Sequence, residues 1–183
     1  MNGHAPIGQP SRWVQRFGAL IPQGGRVLDF ACGNGRHARW LAARGLRVDA
    51  TDRDEAALAT LAGVAGLTTV HADLEAGEWP FGRDSHDALV VTNYLFRPRF
   101  DLMLSVLREG GVLIYETFMV GNERYGRPRS PDFLLQPGEL LARLADDFTV
   151  VAFEQGEVGD PPHAVVQRLC AIRGRDRYGG LPD

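Results

Sequence analysis

The chain has 183 residues, 44% of them apolar and 23% charged, with a formal net charge of −3. This suits one globular domain with a substantial core; no apolar run reaches the ~18 residues of a membrane helix, and the charge leaves no nucleic-acid footprint, so neither a membrane nor a nucleic acid is expected as a partner. All 20 basic residues are arginines, which excludes a lysine Schiff base and the P-loop Gly-Lys-Ser/Thr.

Cys32 and Cys170 form no CxxC pair and read as reduced thiols, and no metal-ligand spacing is present. The first nine residues lack a basic-then-apolar leader, so a cytoplasmic location is expected. Residues 1–10, rich in Gly and Pro, read as a flexible arm, 11–173 as a single domain and 174–183 as a flexible tail. Ser11 can cap a helix carrying Trp13, Val14, Phe17, Leu20 and Ile21 at helical spacing, which packs on a sheet or sets Trp13 beside a ligand.

Val27 to Phe30 is a short apolar strand that runs into Gly33 and Gly35 and then into a helix over 36–44. Strand, glycine turn and helix bring backbone close to a nucleotide-like ligand, and a side chain at either glycine is expected to occupy the ligand's space. Gly33-x-Gly35-x-x-Ala38 fits the dinucleotide fingerprint. A second strand, Leu46–Thr51, ends at Asp52, 19 positions after Gly33, where a carboxylate can accept both hydroxyls of a ribose. Asp54 suits the cap of a helix from Glu55 to about Leu61. A third strand, Leu67–His71, leads to Asp73 and Leu74, and a fourth, Asp87–Thr92, to Asn93 and Tyr94. Strands one and four flank the point where an open parallel sheet changes direction, so Asn93 and Tyr94 are expected at the ligand's reactive end.

The spacing predicts a helix over 99–108, a fifth strand over Val112–Tyr115 that leads to Glu116, and an irregular segment over 119–135, long enough to be a lid or a binding loop. A helix opened by Pro137 and Glu139 follows. Phe148–Phe153 and Ala164–Ile172 close the chain as an antiparallel pair, since a short connection permits no other pairing. The expected fold is therefore α/β: a Rossmann-like, doubly wound, seven-stranded sheet, mostly parallel with an antiparallel last strand.

Asp29-x-Ala31-x-Gly33-x-Gly35, with Asp52, Asp73 and the sheet order, resembles the class I S-adenosylmethionine (SAM) methyltransferases over roughly residues 11–173. The strings Cys32-Gly33-Asn34-Gly35-Arg36-His37, Asn93-Tyr94-Leu95-Phe96-Arg97-Pro98 and Phe133 to Leu141 are similar to a bacterial branch near the tellurite-resistance methyltransferases. The resemblance implies SAM as cofactor, bound by Asp29, Ala31, Cys32, Gly33, Gly35, Asp52, Arg53, Asp73, Leu74 and Asn93, with Asp52 on the ribose and Asp73 on the adenine amine. It departs from the family at Ala31, which stands where the motif has its first glycine.

The implied activity is in-line methyl transfer to a small acceptor. A base is needed only for an acceptor that carries a proton, and Tyr94, His37, Glu116 and His163 are the candidates. Arg124, Arg127 and Arg129 either form a lid over an anionic acceptor or sit in a solvated loop paired with Glu123 and Asp132. An NAD(P)-dependent oxidoreductase and a SAM-binding module without catalysis are the rival readings.

Overall fold

The computed structural model describes residues 8–144, 147–175, 177 and 180–182. The expected arm and tail lie partly outside the described residues. Strand β1 (Arg26–Phe30) runs parallel to β2 (Arg47–Asp52) on one side and to β4 (His86–Thr92) on the other. Strand β3 (Leu67–His71) lies beyond β2. Beyond β4 come β5 (Leu107–Phe118), β7 (Ala164–Arg173) and β6 (Phe148–Val158), so the order is β3-β2-β1-β4-β5-β7-β6. Strand β7 is antiparallel to both of its neighbours, and β6 therefore runs in the direction of β1 to β5.

The pleat divides the core in two. Leu28, Phe30, Leu89, Val91, Leu113 and Tyr115 face one side, where α4 (Phe100–Leu104) and α5 (Glu139–Leu144) add Phe100, Met103, Leu140 and Leu144. Val27, Val48, Val90 and Ile114 face the other, covered by α1 (Arg12–Phe17), α2 (Arg36–Ala42) and α3 (Glu55–Ala59). Each such side chain, fully buried, contributes about 1.5–3 kcal/mol. Ser11 caps α1 through its Oγ, which accepts from Trp13 N–H at 3.1 Å. Trp13 is buried and its indole N–H donates to the Leu169 carbonyl at 3.2 Å, so it packs on the sheet rather than beside a ligand. Asp54 caps α3 by accepting from Ala57 N–H. No helix among the described residues is long and apolar enough to cross a membrane.

Two stretches differ from the periodicity. The helix expected over 99–108 ends at Leu104, and β5 begins at Leu107, which pairs with His86. Val112 pairs with Ala88, two residues on in β4, so 108–111 bulge out, with Gly110 left-handed at φ 77; the apolar pattern of Val106 and Leu107 belongs to the turn into the strand and to its first residue. Likewise β6 continues to Val158, and only 159–163 form the turn into β7, because Glu154, Gln155 and Glu157 pair with Arg168, Gln167 and Val165.

The long segment after β5 is fastened at both ends. Leu135 N–H donates to the Phe118 carbonyl at 3.0 Å and Val120 N–H to the Leu135 carbonyl at 3.0 Å. Arg97 grips Glu139 with two hydrogen bonds of 2.8 Å and donates to the carbonyls of Asp132 and Leu134, each at 2.8 Å. Burial pushes the Glu139 carboxyl up, but Arg97, the Gln136 N–H and Arg143 outweigh it and hold the group down at about 2, against an ordinary 4.5. A depressed acid stabilises the fold above its unfolded value and loses that contribution as pH falls through the folded one. Here the contribution is about 3 kcal/mol near neutrality. Glu139→Gln is therefore expected to lower stability at pH 7 and to flatten the acid-dependent loss between pH 4.5 and 2, read by urea unfolding across that range.

Candidate functional site

The site begins where β1 stops. Ala31, the next residue, is left-handed at φ 54, and Gly33 and Gly35 follow at φ 52 and 69. A Cβ added at Gly33 would meet nothing within 4 Å, which leaves the backbone there open to a ligand. Gly35 has a different reason to be glycine. A Cβ there would lie 2.5 Å from Leu61 Cδ2 and 2.7 Å from Cδ1, so its bare Cα makes room for the core and not for a ligand.

Ala31 carries a strain that glycine would not, since a left-handed L-residue costs about 1–2 kcal/mol. Part of the gain from glycine is lost to the entropy of the unfolded chain. Ala31→Gly is thus expected to stabilise the protein by about 0.5–1 kcal/mol, a few degrees in Tm. A fall in Tm would mean that packing of the Ala31 methyl outweighs the backbone strain.

Asp29 does not line a cavity. It is 1% exposed, and its Oδ2 accepts from Ala38 N–H at 2.8 Å, so it fastens the first turn of α2 to β1 beneath the loop. Burial raises its carboxyl to about 7, against the weaker lowering by Ala38 N–H and Arg36. Cys32 is also buried, and burial, with the charges of Asp29 and Asp52, pushes its thiol up and out of reach of ready ionisation.

Three adjoining cavities run along the carboxyl edge of the sheet. The first, of about 190 Å³, is lined by Ala31, Asp52, Arg53, Ala72, Asp73, Leu74, Glu75 and Tyr94. The second lies over the glycine loop and includes Ala31, Cys32, Gly33, His37, Thr92 and Asn93. The third, of about 750 Å³, extends from Asn93 and Glu116 to the β6–β7 turn. Ala31 borders the first two and Asn93 the last two, so the three form one file.

In the first cavity, backbone donors fix Asp52. Its Oδ2 accepts from Gly33 N–H at 2.8 Å and its Oδ1 from Asp54 N–H at 2.9 Å, which leaves each oxygen a lone pair for a ligand hydroxyl. Asp73 Oδ1 accepts from the Glu75 and Ala76 N–H groups at 2.9 and 3.2 Å, and these bonds hold its carboxyl below the ordinary range. Tyr94 belongs to this cavity, not to the reactive end expected for it. Its ring packs edge-on against Phe30, and burial raises its hydroxyl well above the ordinary value, so it is a poor proton acceptor. That hydroxyl is buried with no hydrogen-bond partner among the described residues. Asn93 and Tyr94 part company because Asn93 is left-handed at φ 55.

His37 and Glu116 are both engaged. His37 Nε2 accepts from Ser11 N–H at 3.1 Å, which leaves Nδ1 to carry the ring proton toward Thr92 Oγ1 at 3.3 Å. Burial and then Arg36 lower the imidazole to about 4, so His37 is a neutral anchor for the entry to α1 and not a base. Glu116 Oε1 accepts from the Ser11 hydroxyl at 2.7 Å, and Oε2 lies 3.3 Å from Arg168.

The arginine segment does not reach the cavities. Arg124 pairs with Glu157 at 3.1 Å, alongside the Tyr125 hydroxyl at 2.7 Å, and Arg129 donates to the Gly126 carbonyl. None of Arg124, Arg127 and Arg129 lines any of the three. The partner of Arg124 lies on β6 rather than at Glu123 or Asp132, because the segment is laced back over the β6–β7 hairpin. What the sequence left unplaced is the far wall of the third cavity, Ser11, Arg12, Glu157, Asp160, His163 and Arg168; its single hint was His163 among four candidate bases.

A model of a methyltransferase domain family matches residues 27–111. The chain is 36% identical over 119 residues to a demethylmenaquinone methyltransferase of Clavibacter sepedonicus, a match that covers 59% of this chain and 48% of that protein; the chain thus spans about half of that relative's length. The fold is shared with the 1,6-didemethyltoxoflavin-N1-methyltransferase of Burkholderia thailandensis, solved with S-adenosylhomocysteine (TM-score 0.64, 20% identity, 88% of this chain and 76% of that one). It is shared equally with TehB of Haemophilus influenzae (TM-score 0.65, 21% identity, 86% and 60%). The chain thus has a seven-stranded sheet with a reversed β7 and a glycine loop between β1 and α2, a fold it shares with solved SAM-dependent methyltransferases, and its residues 27–111 match a methyltransferase domain family.

Proposed function

We propose that this protein transfers the methyl group of SAM to a small molecule. The observation that carries the reading is the file of three cavities joined at Ala31 and Asn93, which gives adjoining places for a nucleoside, an amino-acid tail and an acceptor. The residues present fit the cofactor. The Gly33 backbone is open where a ligand would cross it, Asp52 keeps free lone pairs, and the buried Tyr94 hydroxyl lacks the partner that buried polar groups normally have. In this reading Asp52 and Asp73 hold the ribose and the adenine, Ala31, Arg53 and Leu74 bound them, and Cys32, Gly33 and Asn93 border the methionine end. Asp29 and Gly35 act from beneath, by holding the loop.

When bound, SAM supplies a sulfonium methyl that needs no activation, and the chain's own task is to align the acceptor and strip it of water. A cavity of about 750 Å³ next to Asn93 favours an acting enzyme over a SAM-binding module. The oxidoreductase reading loses its footing at Gly35, which faces Leu61 and not a ligand. A cytoplasmic setting goes with this proposal, since both cysteines are free and buried. Calorimetric titration is expected to show SAM and S-adenosylhomocysteine binding and no heat from NADH; NADH binding in their place would overturn the reading.

A further inference from the structure

We propose that the third cavity holds the methyl acceptor, that the acceptor bears an N–H or O–H nucleophile rather than a carboxylate, and that His163 takes its proton. The inference rests on the SAM reading above and adds the substrate class and the base.

The turn between β6 and β7 is shaped around this imidazole. Gly159 is left-handed at φ 98, and a Cβ on it would lie 2.0 Å from His163 Nδ1 and 2.5 Å from Cε1, so only glycine lets the ring lie over the turn. His163 N–H closes the turn by donating to the Val158 carbonyl at 3.0 Å. The ring itself has no hydrogen-bond partner among the described residues, and it lines the same cavity as Asn93 and Glu116. The other three candidates are spent: Tyr94 is in the first cavity, His37 Nε2 already accepts from Ser11, and Glu116 is held by Ser11 and Arg168.

The charges on the wall disfavour a carboxylate acceptor. Glu116, Glu157 and Asp160 line the cavity with Arg12 and Arg168; Arg168 is already paired with Glu116 at 3.3 Å and with Glu154 at 2.7 Å, and Glu157 with Arg124 at 3.1 Å. An anion would enter an acidic cavity whose better-buried cation is taken, whereas a neutral or cationic N–H or O–H group would meet acceptors.

The proton balance is simple. The acceptor's lone pair forms the new bond to the methyl carbon while the carbon–sulfur bond breaks, its electron pair going to sulfur. The N–H or O–H bond pair stays on the acceptor, and the proton passes to the imidazole and from its exposed face to water. The imidazole ring has no partner among the described residues and can accept the proton, whereas Glu116 is held by Ser11 and Arg168.

The test uses the full chain, tritium-labelled SAM and three probes: benzimidazole, phenol and benzoate. Wild-type protein is expected to label benzimidazole or phenol and not benzoate. His163→Ala should lower kcat on the labelled probe by about 10²–10⁴-fold with KM little changed, and added imidazole should restore part of it. His163→Gln, of similar size, should be as slow, and calorimetry with S-adenosylhomocysteine should give both variants the wild-type affinity. Wild-type turnover in both variants, loss without rescue, labelling of benzoate alone, or no labelling of either N–H or O–H probe would overturn the inference. If wild-type protein fails to bind S-adenosylhomocysteine, the SAM reading itself falls.

Discussion

Asp52→Ala is expected to weaken binding of S-adenosylhomocysteine by about 1.5–3 kcal/mol, the value of a hydrogen bond to a charged group, or roughly 10–150-fold in Kd. Two losses combine in this substitution. The ligand loses its acceptor, and Gly33 loses the 2.8 Å bond that holds the loop against the end of β2. Asp52→Asn separates them, because the amide keeps one oxygen for a backbone donor while it loses the negative charge; its affinity should fall between wild type and Asp52→Ala. Calorimetry on variants whose thermal unfolding matches the parent's is the measurement. A well-folded Asp52→Ala with wild-type affinity would remove this residue from the cofactor site.

The second large effect is expected at a position that no ligand touches. Gly35→Ala puts a methyl 2.5 Å from a Leu61 side chain that is 1% exposed, on a backbone at φ 69. Overpacking costs about 1–3 kcal/mol and the left-handed alanine about 1–2 more, so a loss of about 2–5 kcal/mol in urea unfolding is expected. The Leu61→Ala background should cancel the packing part and leave the backbone part, a coupling that a double-mutant cycle reads directly. A strictly additive cycle would show that Leu61 is not what Gly35 makes room for.

The parallel half of the sheet was legible because buried strands read as short apolar runs. Leu67–His71 has its expected bounds, Arg47–Asp52 is shifted by one residue at both ends, and His86–Thr92 starts one residue early. The carboxylate at a strand end was legible too, since Asp52 follows from spacing alone. Contacts between distant segments were not. Nothing near Arg97 in sequence announces that it will clasp Glu139 and two carbonyls of 132–134, so the arginine-rich segment read equally as a lid or as a solvated loop. Nothing near His37 shows that Ser11, 26 residues earlier, will donate to its ring. Gly33 and Gly35 look alike in a motif, and only the position of Leu61 tells them apart. The β6–β7 turn was misjudged for a local reason, as Glu154–Glu157 are too polar to advertise a strand whose outer face is wet.

Because β7 is the reversed strand, the hairpin that holds His163 returns to the carboxyl edge of the sheet, whereas a parallel β7 would have delivered its preceding turn to the opposite end. The cavity farthest from β1 is thus walled by a turn of five residues, 159–163, whose ends are clamped by register while its length is free. Doubling the length of such a loop costs only about 0.6 kcal/mol. The wall that this hairpin tip supplies can therefore be reshaped by changing one loop length, while Asp52, Asp73 and the glycine turn are set on other strands and stay in place.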